Sequence, residues 1–300
     1  MMEEDYDYSK LKEAGKVSRE ALEYAKSVVK PGRRLLDAAS EIEKFIEDRG
    51  CKQAFPVNIS TDAQAAHYTP GYSDANIMGD NDVIKIDLGA RKDNYLTDCA
   101  ITLCLGDKYV HLAQAAQKAL ETAISLVRAG RKVNEIGREI AKVARSSGCN
   151  PIRNLGGHGI EQDELHARIF IPNFDNGDTT ELQEGEVIAI EPFMTTGEGH
   201  VVDGDYLEIF QLTAGRMPRS SDARTAKEYI YANFLTFPFA IRWLINGLQW
   251  DEFRARRAIA ELLQSDSLEP FPVLIERSGG IVAQAEKTVV VEKDSCTVIT

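Results

Sequence analysis

Residues 21–51 and 119–149 of this 300-residue chain align without a gap, ALEYAKSVVKPGRRLLDAASEIEKFIEDRGC against ALETAISLVRAGRKVNEIGREIAKVARSSGC. They share Ala-Leu-Glu at the start, Gly-Arg in the middle, Glu-Ile-x-Lys, and Gly-Cys at the end. Self-similarity in a stretch of helical periodicity predicts one helix pair built twice. In the first copy the spacing predicts a helix over 8–29, with apolar positions Leu11, Ala14, Val17, Ala21, Leu22 and Ala25. Pro31-Gly32 ends it. A second helix is predicted over 36–49, N-capped by Asp37 or Ser40 and closed by Gly50.

The strands repeat as well. DVIKID at 82–87 matches EVIAIE at 186–191, and both end on an acid. AQAEKTVVV at 283–291 matches LTDCAITLC at 96–104, each with an acid early in a β-branched run. Each half therefore offers two helices, a strand ending in an acid, and a strand with an acid near its start. A duplication of this kind brings its four acids together at a pseudo-two-fold axis. The halves, about 1–106 and 107–300, are unequal. Helical character over 222–234, 238–248 and 251–264 predicts a helical insertion at roughly 213–269 in the second half.

The stretch VIKIDLGARKDNYLTDCAITLC at 83–104 reads as two strands joined by a polar turn at 91–94. A turn centred on Lys92-Asp93 sets Asp87 directly opposite Asp98, with Cβ atoms about 5 Å apart. A turn one residue later leaves them diagonal on the same face, and a half-step slip separates them entirely. Two adjacent carboxylates in an apolar sheet do not both stay ionised unaided, and a divalent cation removes the conflict. On the hairpin alone, an acid that caps the turn or pairs with Lys85 or Arg91 is an equal reading. Further donors come from His158 in the glycine-rich loop NLGGHGI, with His166 in LHARIFIP and His67 in AAHYTPG beside them. Asp87, Asp98, His158, Glu191 and Glu286 together are four carboxylates and one imidazole, a set suited to Mn, Fe, Co or Zn. Four negative ligands balance two divalent ions. Such a pair activates water toward a carbonyl, and histidines outside the shell polarise that carbonyl or move protons. Bottom-up, the set describes a binuclear metallohydrolase.

Composition removes several other classes. A net charge of −12 argues against DNA binding by phosphate neutralisation. No window holds the roughly 20 apolar residues of a membrane span. The start MMEEDYDYSK lacks the basic and apolar regions of a signal peptide, so the expected compartment is the cytoplasm. Cys51, Cys99, Cys104, Cys149 and Cys296 form no Cys-x-x-Cys pair, hence neither a disulfide framework nor a zinc knuckle.

With FPVNIS at 55–60, AAHYTP at 65–70, IDLGA followed by TDCAIT, NLGGHGI with HARIFIP, IAIEPFMTTG at 188–197 and AQAEKT at 283–288, the chain resembles the pita-bread metallopeptidases. Within that family it is similar to the type II methionine aminopeptidases, of archaeal kind because it starts directly at the catalytic domain. The resemblance implies an α/β (α+β) pita-bread fold over 1–300, with duplicated halves of antiparallel sheet backed by helices. It implies that Asp98 and Glu286 bridge two metal ions, that Asp87 completes one shell, and that His158 and Glu191 complete the other. Glu191 doubles as general base, His166 stabilises the scissile group or its oxyanion, and His67 contacts the substrate near its N-terminus. Implied partners are the N-termini of newly made proteins with a small second residue, and a ribosome reached through a local patch; the implied state is a monomer. Phe55, Pro56 and Phe271 are the expected pocket walls. Ala285 and Lys287 stand where the family has an aromatic residue and a histidine, Asp93-Asn94 where it has Asp-Gly, and residues 198–212 do not align with it. An Xaa-Pro hydrolase uses the same ligands but has a larger N-terminal domain. A silent relative binding RNA, ribosomes or histones would have lost ligands that this chain keeps.

Overall fold

The computed structural model describes residues 6–300; residues 1–5, part of the acidic start, lie outside them. The repeated segments fold as α1 (Tyr8–Val28) with α2 (Leu35–Glu47), and α3 (Val110–Ile124) with α4 (Val133–Ser146). The repeat reaches the backbone. Gly32 and Gly130 hold φ of 78° and 75° before the second helix of each pair, and Gly50 and Gly148 hold 75° and 69° after it.

Neither Asp37 nor Ser40 caps α2. Its N-cap is Arg34, extended and without a side-chain cap bond, and Lys132 does the same for α4. A passing chain segment replaces the cap: Leu35 N donates to Asn76 O at 3.0 Å and Val133 N to Thr180 O at 3.0 Å. Those bonds satisfy one of the first-turn amides that a helix leaves unpaired.

The central sheet is antiparallel throughout. Its strands are β1 (Asn58–Thr61), β2 (Val83–Leu88), β3 (Cys99–Cys104), β4 (Gly156–Glu161), β5 (Glu164–Pro172), β6 (Val187–Ile190), β7 (Glu286–Val291) and β8 (Cys296–Val298). They lie side by side as β5-β4-β6-β7-β3-β2-β1, with β8 also pairing β7. The two halves meet where β7 pairs β3, Glu286 facing Ala100 and Lys287 facing Cys99. Ile84, Ile86, Leu88 and Cys99 pack under α1 and α2. Ile188, Ile190, Val289 and Val291 do so under α3 and α4. Each fully buried aliphatic side chain contributes about 1.5–3 kcal/mol, so these two clusters clamp the helices to one face. Side chains alternate along a strand, which leaves all four acids on the opposite face.

The hairpin turn sits at Asp93-Asn94, whose φ values are 45° and 69°, with Lys92 facing Tyr95 and Arg91 facing Leu96. Asp87 faces Ala100 and Leu88 faces Cys99. This is the later of the two same-face registers, and it sets Asp98 diagonal to Asp87. Two positive φ values in succession match the type I′ turn that suits strand twist.

In the second half lie α5 (Ser221–Phe234), α6 (Ile241–Leu248) and α7 (Glu252–Gln264). Ser220 caps α5 by accepting from Ala223 N, and Asp251 caps α7 by accepting from Arg254 N. The helix expected from 238 starts only at Ile241, because Phe239–Ala240 first pairs with the strand Ile209–Leu212. Phe210, Ile230, Leu244 and Leu262 belong to a separate core there. No helix of the described residues is long and apolar enough to cross a membrane.

Candidate metal centre

Each half supplies one acid from an inner strand and one from an outer strand. Asp98 precedes β3 and Glu286 opens β7, the two strands that join the halves; Asp87 lies in outer β2, and Glu191 follows outer β6. Across the second-half ladder Ile190 faces Lys287, and the same register carried one residue on sets Glu191 opposite Glu286. His158 enters from β4, paired to Ala189 of β6. It stands in a strand rather than in the loop that its glycines suggest. A Cβ on Gly157 would run into the Ala189 carbonyl, so that glycine serves close strand packing.

Asp98, His158 and Glu286 are buried, and each offers a ligand atom within 4.8 Å of the others. His158 Nε2 lies 3.5 Å from Asp98 Oδ2. Its Nδ1 lies 3.1 Å from the Gly159 carbonyl. A donated Nδ1–H fixes the tautomer and leaves the Nε2 lone pair pointing at the acids, the orientation a ligating histidine needs. Asp87 and Glu191 join the group through a residue that sequence reasoning missed. The Gln284 side-chain amide donates to Asp87 Oδ2 at 3.2 Å, Glu191 Oε2 at 3.2 Å and Glu286 Oε2 at 3.3 Å. Gln284 lies two positions before Glu286, hence on its face, and period-two spacing would have found it.

The electrostatics fit divalent cations. Burial, then the neighbouring Asp98 charge, pushes Asp87 well above the carboxylate range. Burial followed by Asp98 and Asp87 does the same to Glu191, and burial followed by Asp98, Glu191 and Asp87 to Glu286. Asp98 rises to about 7 through burial, against hydrogen bonds with Asp87, the Cys99 amide and Glu286. Asp87 Oδ1, Asp98 Oδ1 and Glu286 Oε1 are buried without a hydrogen-bond partner. Lys85, the nearby cation, does not pair with these acids: its Nζ donates to the Asp62 and Val83 carbonyls. Clustered, unpartnered carboxylates with one oriented imidazole are the donor set of a hard-to-borderline metal.

Above the acids opens a cavity of about 380 Å³. Asp87, Asp98, His158 and Glu191 line it with His67 and His166, and Phe55 and Phe271 with Phe193, Leu155 and Ile209 supply apolar wall. Pro56 is buried but does not line the cavity; its carbonyl accepts from Asn58 Nδ2 at 2.7 Å. Asn58, which faces Asp87 across the β1–β2 ladder, lines it instead. The His158 and His166 rings stand edge to face, 4.4 Å apart. Burial lowers the His158 pKa to about 4. Burial, then the charge of His166, also lowers His67 to about 4, so both are neutral at pH 7.

A model of metallopeptidase family M24 matches residues 9–292. The chain is 43% identical to a methionine aminopeptidase of Pyrococcus horikoshii over 98% of its own length and 99% of that relative. It is 41% identical to one of Methanothermobacter thermautotrophicus, over 96% of each. Among solved structures, a thermophilic Arx1 superposes with TM-score 0.82 at 19% identity, covering 97% of this chain and 90% of that one. The Thermotoga maritima methionine aminopeptidase gives 0.72 at 20%, covering 100% and 98%. The Pyrococcus furiosus prolidase gives 0.62 at 17%, with 99% of this chain but 64% of that one covered. These three likenesses are of fold.

Proposed function

This chain belongs to metallopeptidase family M24, and we infer that it is a metal-dependent aminopeptidase which removes N-terminal methionine from peptides. The observation that carries the reading is the match to the methionine aminopeptidase of Pyrococcus horikoshii at 43% identity over nearly all of both chains. The fold is the pita-bread fold of duplicated halves, and divalent metal is its cofactor.

The residue roles are our proposal. Asp98 and Glu286, on the strands that join the halves, would hold two ions drawn from Co, Mn, Fe and Zn, together with Asp87, His158 and Glu191. Ions held there supply Lewis acidity to the scissile carbonyl and relieve the repulsion among the four acids. Glu191, which lines the cavity, takes the proton of the attacking water and returns it to the leaving amine. His166, neutral beside His158, donates a hydrogen bond to the developing oxyanion. His67, which also lines the cavity, contacts the substrate near its N-terminus. Phe55, Phe193 and Phe271 give the methionine side chain an apolar wall and exclude water. A small second residue is the preference that the likeness to methionine aminopeptidases implies. We read residues 1–300 as one catalytic unit with 213–269 inserted in it. Nascent polypeptides are the proposed substrates, in the cytoplasm and at the ribosome, acted on by a monomer.

The test is methionine release from Met-Ala-Ser by metal-reconstituted protein, against cleavage of Leu-Pro and Leu-Pro-Ala. Release that vanishes with chelator and in Asp98→Ala supports the reading. Cleavage confined to the proline peptides, or silence on all three with bound metal verified, overturns it.

A further inference from the structure

His67 has a φ of 65°, a left-handed conformation uncommon for a residue with a side chain. Such conformations persist where the surroundings over-determine them. Its ring is placed from one side by the Pro272 carbonyl, 3.3 Å from Nδ1, and by the Phe271 ring edge-on at 5.7 Å. Its backbone is placed by the next two residues, Tyr68 and Thr69. Ile59 N donates to Tyr68 O at 2.7 Å. The Thr69 hydroxyl donates to Val57 O at 2.8 Å.

With its proton committed, that hydroxyl accepts from Arg242 Nη1 at 2.8 Å, and the same nitrogen donates to Pro70 O at 2.8 Å. Arg242 Nη2 donates to Glu43 Oε1. Glu43 Oε1 also accepts from Val57 N at 3.2 Å, and Glu43 Oε2 from Trp243 Nε1 at 3.0 Å. Val57, Glu43, Arg242 and Thr69 thus close a ring of hydrogen bonds. Arg242 is 3% exposed and Glu43 7%, deep burial for a charged pair. Arg242 lies on α6, Glu43 on α2, and the ring grips both Val57, between the cavity-lining Phe55 and Asn58, and the segment after His67.

We propose that Arg242 and Glu43 are positioning residues: through Thr69 they hold His67 in its left-handed conformation and so fix its reach into the substrate cavity. The proposal rests on the reading of His67 as a substrate contact. It ties the second-half helices to the reaction rather than to stability alone. The guanidinium reaches Glu43 with one nitrogen and Thr69 and Pro70 with the other, whereas an ammonium offers its three donors from a single point.

A double-mutant cycle on the metal-loaded enzyme with Met-Ala-Ser tests it. Arg242→Lys and Thr69→Val each lower kcat/KM about ten-fold, within the range for slight misplacement of a catalytic contact. Thr69→Ser, which keeps the hydroxyl, restores activity. In a His67→Ala background, Arg242→Lys and Thr69→Val each cost less than about two-fold, because the group they position is gone. Equal losses with and without His67 would overturn the proposal and leave the ring a structural tie. Full activity in Thr69→Val would overturn it too, and that variant decides the matter if Arg242→Lys does not fold. A fully active His67→Ala enzyme would instead remove the role of His67, and the proposal with it.

Discussion

In the first half, the two acids come from one hairpin, diagonal across a ladder closed by a two-residue turn with positive φ at both positions. In the second half, equivalent acids come from strands separated by the whole helical segment, and their register sets them directly opposite. The halves also differ in reach, with aspartates in the diagonal pair and glutamates in the direct one. Duplication has kept the chemistry of the four positions while the local geometry diverged. The pairing is local in the first half, where the two strands follow one another, and non-local in the second, where the helical segment lies between them. Inner acids from both halves share the β3–β7 seam, so the seam is where the duplication is most constrained.

The largest expected effect lies at that seam. Asp98→Ala or Glu286→Ala removes an inner acid and lowers kcat/KM for Met-Ala-Ser about a thousand-fold or more, the scale on which cooperating groups fail together. Asp87→Ala, an outer acid, costs less. Steady-state rates with metal content measured in parallel check the ranking. If Asp87→Ala cost more than Asp98→Ala, the distinction between inner and outer strands would not describe the site.

The next effect concerns charge. Asp98 carries a folded-state pKa of about 7 against an ordinary 3.8. In metal-free protein its contribution to stability is present in full below about pH 4 and is lost as pH rises through 7. The loss is on the order of a few kcal/mol. Urea melts of chelated wild type and Asp98→Asn between pH 4 and 9 read it, together with the change the amide makes at Asp87, Glu191 and Glu286, whose shifts include the Asp98 charge. Wild type should lose stability relative to the variant as pH rises, and the opposite slope would mean that Asp98 is ionised and partnered without metal. Metal should remove the wild type's loss at high pH, since ions bind the deprotonated set.

Gln284 donates through one side-chain amide to acids of both halves. Gln284→Leu should weaken metal binding about 10–100-fold, as loss of a group that orients ligands does, with the global fold retained. Calorimetric titration with Co or Mn reads it. An unchanged affinity would make the amide a filler among the carboxylates and not their organiser.

Much of this is legible in the chain alone. The duplicated helix pairs and the four acids follow from self-similarity, and the helix boundaries from periodicity. What escapes has physical causes. The hairpin register hangs on whether Lys92-Asp93 or Asp93-Asn94 makes the turn, and those residues are all polar. The α2 cap is hidden from local reasoning because a carbonyl from residue 76, distant in sequence, accepts the Leu35 amide and lets the helix start ahead of Asp37 and Ser40. His158 reads as a loop residue because glycine marks turns and crowded strands alike. Gln284 carries no charge to draw attention, and Arg242 meets Glu43 across most of the chain.

The smallest effect tests whether the turn or the ladder sets the first-half register. Asn94 holds φ 69°, and its side chain accepts from Arg91 Nη1 at 3.3 Å. Asn94→Val places a β-branched residue in left-handed backbone and should cost about 1–2 kcal/mol of stability, read from the urea midpoint. Asn94→Gly, which restores the turn pair most favoured in two-residue hairpins, should leave stability equal or slightly higher. Metal affinity should stay unchanged in both, because six ladder pairs from Val83–Cys104 to Leu88–Cys99 and the seam with β7 already hold Asp98 beside Asp87. A drop in affinity with Asn94→Val would show that the turn carries the register. The first half would then depend on one local residue for what the second half secures only by contact across the sheet.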